Sequence, residues 1–150
     1  MSDGKQHERG GYRSGSEGLS VTDQVVREIS ALKKLSALEA DRLVDLAEKM
    51  GEFLANRIRL RTGQIRKFVD AVSEIKSEGT QEKEADFFRS QCLLLKPKLA
   101  YAAGCQEEVK PLMAVLAPCL DRVHDKDDFI RFYRFVESIL AYHRYHGGRD

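Results

Sequence analysis

The sequence predicts an all-α fold, a compact bundle of five to six helices over residues 20–150 behind a disordered arm of residues 1–19. Three observations carry that expectation. Proline is confined to positions 97, 111 and 118 and interior glycine to 51, 63, 79 and 104, which leaves long uninterrupted stretches. Within them apolar residues recur every three or four positions and no segment alternates with period two, so the repeat is that of a helix and not of a strand. Finally, 42% hydrophobic residues in a chain of 150 suffice for one buried core despite the 33% that are charged.

Each element has its own signal. The arm holds five glycines and three serines, and its charges cancel, so it is not a polybasic tail. Thr22 is placed to N-cap a first helix to about Leu35, with Val25, Val26, Ile29 and Leu32 on one face. Ser36-Ala37-Leu38-Glu39 has the form of a capping box opening a second helix to about Arg61, with Ala40, Leu43, Ala47, Met50 and Leu54 inward. Thr62 is the N-cap expected for a third helix, which Gly79 closes. The fourth follows Thr80 and should break near 95–97, because Pro97 lacks an amide proton and crowds Lys96. A short helix from Pro97 to Ala103 and another from about Glu107, split or kinked at Pro118, come next. Asp125 caps the last helix, Asp127 and Asp128 suit the positive end of its dipole, and Gly147-Gly148 stop it.

The composition excludes several classes. Cys92-Leu93-Leu94-Leu95 is the longest run of large apolar residues, far short of the ~20 that cross a bilayer. The opening Met-Ser-Asp-Gly-Lys-Gln-His lacks the apolar core of a signal peptide, so a cytoplasmic protein without a membrane partner is expected. Cysteines 92, 105 and 119 form no CxxC pair and are expected to be small buried residues. No phosphate-cradling, dinucleotide, nucleophile-elbow or HExxH motif occurs, so no enzyme is expected. His143 with His146, or Asp121 with His124, could supply two metal ligands, but the further carboxylates of a helical metal site are missing, and no metal or other cofactor is expected.

Charge placement is more informative than the balance of 25 Lys and Arg against 24 Asp and Glu. From Arg57 to Lys67 there are five basic residues and no acid. Arg66 adjoins the inward Ile65 and so projects from the side of the bundle, Lys67 lies 100° further round, and the opening amides near Gly63 and Gln64 favour an anion. Lys96 and Lys98 flank Pro97. In the last helix Arg131, Arg134 and Arg144 interleave with Phe135, Tyr142, His143 and Tyr145, which lie off the main apolar stripe and are available for stacking. A solvated helix face is the ordinary reading of any such run, and these residues alone do not identify a ligand.

Three segments go further. Thr62-Gly63-Gln64-Ile65-Arg66-Lys67-Phe68, Leu94-Leu95-Lys96-Pro97-Lys98-Leu99-Ala100-Tyr101-Ala102-Ala103-Gly104, and Phe135 to Gly148 (Phe-Val-Glu-Ser-Ile-Leu-Ala-Tyr-His-Arg-Tyr-His-Gly-Gly) stand in this order. Together they resemble the small helical subunit of the type III-A CRISPR effector, the Csm complex. The resemblance implies a non-catalytic RNA-binding subunit of an antiviral interference complex, stacked in several copies along the duplex of guide RNA (crRNA) and single-stranded target RNA. It implies as partners the other Csm subunits and further copies of the chain; whether the free protein is a homodimer stays open. Matched position by position, its basic residues fall on Arg66, Lys67, Lys96, Lys98 and Arg144, and the local charge pattern adds Arg61 and Arg134. Cys105 stands where the family often has a basic residue. The alternative is a helical protein–protein adaptor or dimerisation module without nucleic-acid binding, docking through Phe87, Tyr142 and Tyr145.

Overall fold

The computed structural model describes residues 21–80 and 86–150. The expected arm and the opening of the fourth helix, 81–85, lie outside the described residues. Six α-helices are present among the described residues: α1 (21–30), α2 (Ala40–Phe53), α3 (Thr62–Gly79), α4 (Phe87–Cys105), α5 (Lys110–Asp121) and α6 (Lys126–Tyr145). Short 3-10 turns occupy Leu35–Ala37 and Glu107–Val109, and α2 runs on into a π turn, Leu54–Ile58. The predicted all-helical bundle is therefore the observed one.

α6 is the central element because its apolar stripe faces three other helices. Phe129, Phe132 and Phe135 are all completely buried. Phe132 meets Phe68 of α3 edge-on at 6.2 Å between ring centroids, and Phe129 lies 4.9 Å from Phe88 of α4. α2 packs most extensively of all against α6. The two helices approach closely at Gly51, where a Cβ would sit 2.7 Å from the backbone nitrogen of His143. Only glycine fits there without moving backbone, which costs of order 1–3 kcal/mol.

Several expected boundaries move, each for a tertiary reason. Thr22 lies inside α1, and α1 ends at 30 instead of about Leu35. The Arg122 guanidinium donates to the carbonyls of Ser30 at 3.0 Å and Leu32 at 2.8 Å, and Leu35 N–H donates to Arg122 O at 2.9 Å. The capping box at Ser36 does not form. Ser36 N–H donates instead to the buried carboxylate of Asp128 at 2.8 Å, and α2 begins at Ala40. Pro97 neither breaks nor splits α4. Its ring and Leu93, whose carbonyl loses the usual donor, lie on the exposed side of the helix, where solvent substitutes for the missing amide. Pro118 likewise sits inside a continuous α5. Asp125 caps α6 as expected, accepting from Asp128 N–H at 2.9 Å. No described helix is long and apolar enough to cross a membrane.

Candidate nucleic-acid interface

The junction of α2 and α3 is where the basic run folds. The π turn ends at Arg59, in the left-handed region at φ 61°, and Leu60 N–H returns to Leu54 O at 2.9 Å. That reversal places Arg61 immediately before α3. Thr62 is the first residue of α3 and not its cap: no side chain caps this helix, and no acid stands in its first turn. Instead Thr62 N–H donates to Arg149 O at 2.7 Å, so the C-terminal tail lies against the start of α3.

The tail reaches that point because Gly147 adopts φ +95° and turns the chain back. Gly148 N–H then donates to His143 O at 2.7 Å, and Gly148 rests on the His143 ring so closely that any Cβ would overlap it. His143 is completely buried, with Nε2 2.6 Å from Leu60 O, which makes Nε2–H the donor. Burial, more than any other influence, holds its pKa below the usual histidine value. Its Nδ1 and the buried Thr62 hydroxyl have no partner among the described residues. Tail, imidazole and helix start thus form one docked unit.

Around it the predicted cations separate into two sets. Arg61, Arg66, Lys67 and Lys98 are exposed and form no ion pair with a described residue. Arg61 lines a cavity of about 540 Å³ together with Arg59, Arg149 and Asp150. Roughly 9 Å further along α3, at 1.5 Å per residue, Lys67 faces Lys98 of α4 across a groove of about 290 Å³ floored by Phe68, Leu99 and Val109. Arg66 projects from the side of α3 between these two places, as its helical phase predicts. The second set lies elsewhere. Lys96 is bound to Asp121 of α5 at 2.6 Å. Arg144 donates to Gly148 O at 3.3 Å and lies 3.9 Å from Asp150. Arg134 shares a cavity of about 700 Å³ between α2 and α6 with Arg131 and Asp127.

Some expectations fail at this surface. Phe135 and His143 are completely buried and cannot stack on a ligand. Tyr142 is half-buried against the ring of His146, and Phe87 is half-buried against Phe88, which leaves Tyr145, 78% exposed, from the expected docking aromatics. Tyr101 does not pack into the bundle but is 76% exposed. Cys105 is exposed, whereas Cys92 and Cys119 are buried and their thiol pKa values are pushed up by burial. His146 lies between Glu48 and Glu52 at 3.1 and 3.6 Å, and no three His, Cys, Asp or Glu side chains gather as a metal site among the described residues. Arg59 and Arg149 were missed. Arg59 belongs to the visible basic run, but nothing local shows that Gly147-Gly148 carry Arg149 back beside it.

Fold and surface together define a small all-helical protein whose unpaired cations gather around the start of one helix. The chain belongs to the Csm2 family of type III-A CRISPR systems: the family model Csm2 Type III-A matches residues 37–149. A curated relative from Streptococcus thermophilus, "CRISPR system Cms protein Csm2", is 30% identical over 116 residues, covering 75% of this chain and 91% of its own. No solved structure matches the chain. It is accordingly a subunit of a type III-A Csm complex and associates with other Csm subunits. All three sequence segments that carried the resemblance fall inside the matched region.

Proposed function

We propose that this subunit is a non-catalytic clamp on RNA, gripping the sugar–phosphate backbone of the guide or of the single-stranded target while base pairing reads the sequence. The observation that carries this is the set Arg61, Arg66, Lys67 and Lys98, gathered around the uncapped start of α3 with no acid paired to any of them among the described residues. Elsewhere cations are matched: Lys34 with Asp125, Arg42 with Glu28 and Asp45, Lys49 with Asp45, Lys96 with Asp121. Phosphate contacts of this kind set position and affinity and carry no sequence information.

In this reading several copies stack along the guide–target duplex in the cytoplasm, so that a weak grip per copy is repeated along the RNA. Arg134, Arg144 and Lys96 are peripheral contacts, the last available only after leaving Asp121. Fluorescence anisotropy with a single-stranded RNA tests the proposal. Binding should weaken with salt at a slope of about −0.7 per phosphate neutralised. The R66A/K67A variant should lose affinity while keeping its helicity. Absence of any salt-sensitive RNA binding, together with no incorporation into the Csm complex, would contradict it.

A second reading has its own observation. Leu94, Pro97 and Tyr101 follow one another along the outer side of α4, with Leu94 60% and Tyr101 76% exposed, a surface suited to a protein neighbour. Association that persists at ~1 M salt, where charges are screened beyond ~3 Å, would assign the principal role to that face.

A further inference from the structure

The cavity between the π turn and the C-terminal tail differs from the open strip along α3. It is concave, and three arginines from distant parts of the sequence line it: Arg59 after the π turn, Arg61 before α3, and Arg149 on the returning tail. None of the three forms an ion pair with a described residue. Asp150 is the one acid in the lining, and it lies toward Arg144 at 3.9 Å. Holding like charges together in this way opposes folding unless an anion joins them.

The geometry is built and not incidental. Arg59 is held in a left-handed backbone conformation, a state that bulky residues seldom adopt. Arg149 is fixed by the bond from Thr62 N–H to its carbonyl, and the turn that delivers it is seated on the His143 ring. His143 in turn holds the carbonyl of Leu60, between Arg59 and Arg61. One buried imidazole therefore sets the position of both walls.

We infer that this cavity, lined by Arg59, Arg61 and Arg149, is a phosphate-binding subsite completed by the C-terminal tail, with His143 as its positioning residue. Phosphate suits it better than a carboxylate: each guanidinium presents five N–H donors in a planar fork, and three forks exceed what the two oxygens of one carboxylate can accept. The uncapped start of α3 adds a favourable dipole. The phosphate comes from the RNA backbone or from a free phosphate compound; the inference rests on the RNA reading only for that source.

Amide NMR on the full chain separates the cases, with inorganic phosphate and a 20-nucleotide oligouridylate as probes. Phosphate should shift the amides around Arg59, Gly63 and Arg149, and R59Q/R149Q should weaken that response at least fivefold while R66Q/K67Q leaves it intact. If RNA is the source, R59Q/R149Q also makes the salt slope of RNA binding shallower by about 1.4, or 0.7 for each lost phosphate contact. H143A, which undocks the tail, should weaken phosphate binding, and H143Q, which keeps a donor toward Leu60, should restore part of it. Phosphate shifts confined to other residues, or a response unchanged in R59Q/R149Q, would overturn the subsite. RNA binding that survives R59Q/R149Q unaltered, with phosphate shifts lost, would assign the site to free phosphate. Phosphate binding without any RNA binding would sustain the subsite and end the RNA reading.

Discussion

Two corners of the bundle solve the same problem in opposite ways. At the Asp128 corner the start of α6 meets the 3-10 turn before α2, and the polar groups are matched within the chain. The buried carboxylate accepts from Ser36 N–H at 2.8 Å and from His124 N–H at 2.9 Å, and Asp125 both caps α6 and pairs with Lys34. At the His143 corner the end of α6 meets the start of α3, and the matching stops short. Thr62 Oγ1 and His143 Nδ1 are buried without described partners, α3 has no side-chain cap, and the surrounding arginines have no described carboxylate partner. A corner that completes itself is structural. One that leaves cations and helix dipole unanswered is suited to an external anion.

The contrast can be tested from its largest effect downward. D128A should cost about 3 kcal/mol in denaturant unfolding, since it strands two amides that the carboxylate now satisfies. The same variant should bind RNA with wild-type salt dependence, because its corner takes no part. G148A, whose Cβ would overlap the His143 ring, should cost of order 1–3 kcal/mol. It should also weaken RNA binding by moving Arg149. R66Q/K67Q should lower RNA affinity about tenfold, or 1.4 kcal/mol, with the unfolding midpoint unchanged.

Titration distinguishes the corners as well. His143 is held neutral by burial, with Arg144 acting in the same direction. The unfolded chain therefore takes up a proton first as pH falls below the ordinary histidine value of 6.5. The stability His143 contributes is complete above that pH and is lost as pH falls through its lower folded value. At the other corner the Asp125 carboxyl is held below its ordinary value of 3.8, first by the bond from Asp128 N–H. Its contribution is present above that value and is lost only in stronger acid. Urea midpoints between pH 7 and 5 should fall in the wild type and fall less in H143Q, with D125N showing no such difference from wild type over this range. The smallest effect is K34A, which opens an ion pair about half-exposed on both sides and should leave the midpoint unresolved from wild type.

How much of this was legible in the sequence follows from which forces were local. The start of α6 was, because Asp125 bonds to its own helix three residues on. The exposure of Arg66 and Lys67 was too, because helical phase relative to Ile65 decides it. Ser36 was misread because its amide is taken by Asp128, 92 residues away. Lys96 and Lys98 flank one proline, yet Asp121 of α5 neutralises the first alone, and no local pattern shows that. His143 read as an available ring because its stripe position does not reveal the tail folding over it. The bundle was therefore legible, as were the cations on α3; the docked tail, and with it Arg149, was not.

The central claim is that RNA lies across the start of α3, and photochemical crosslinking of RNA to the protein, mapped to residues by mass spectrometry, tests it most directly. Crosslinks should fall between Arg59 and Lys67, near Lys98 and on the tail around Arg149. Crosslinks confined to the acidic outer side of α2, or to the Leu94 and Tyr101 side of α4, would contradict the account.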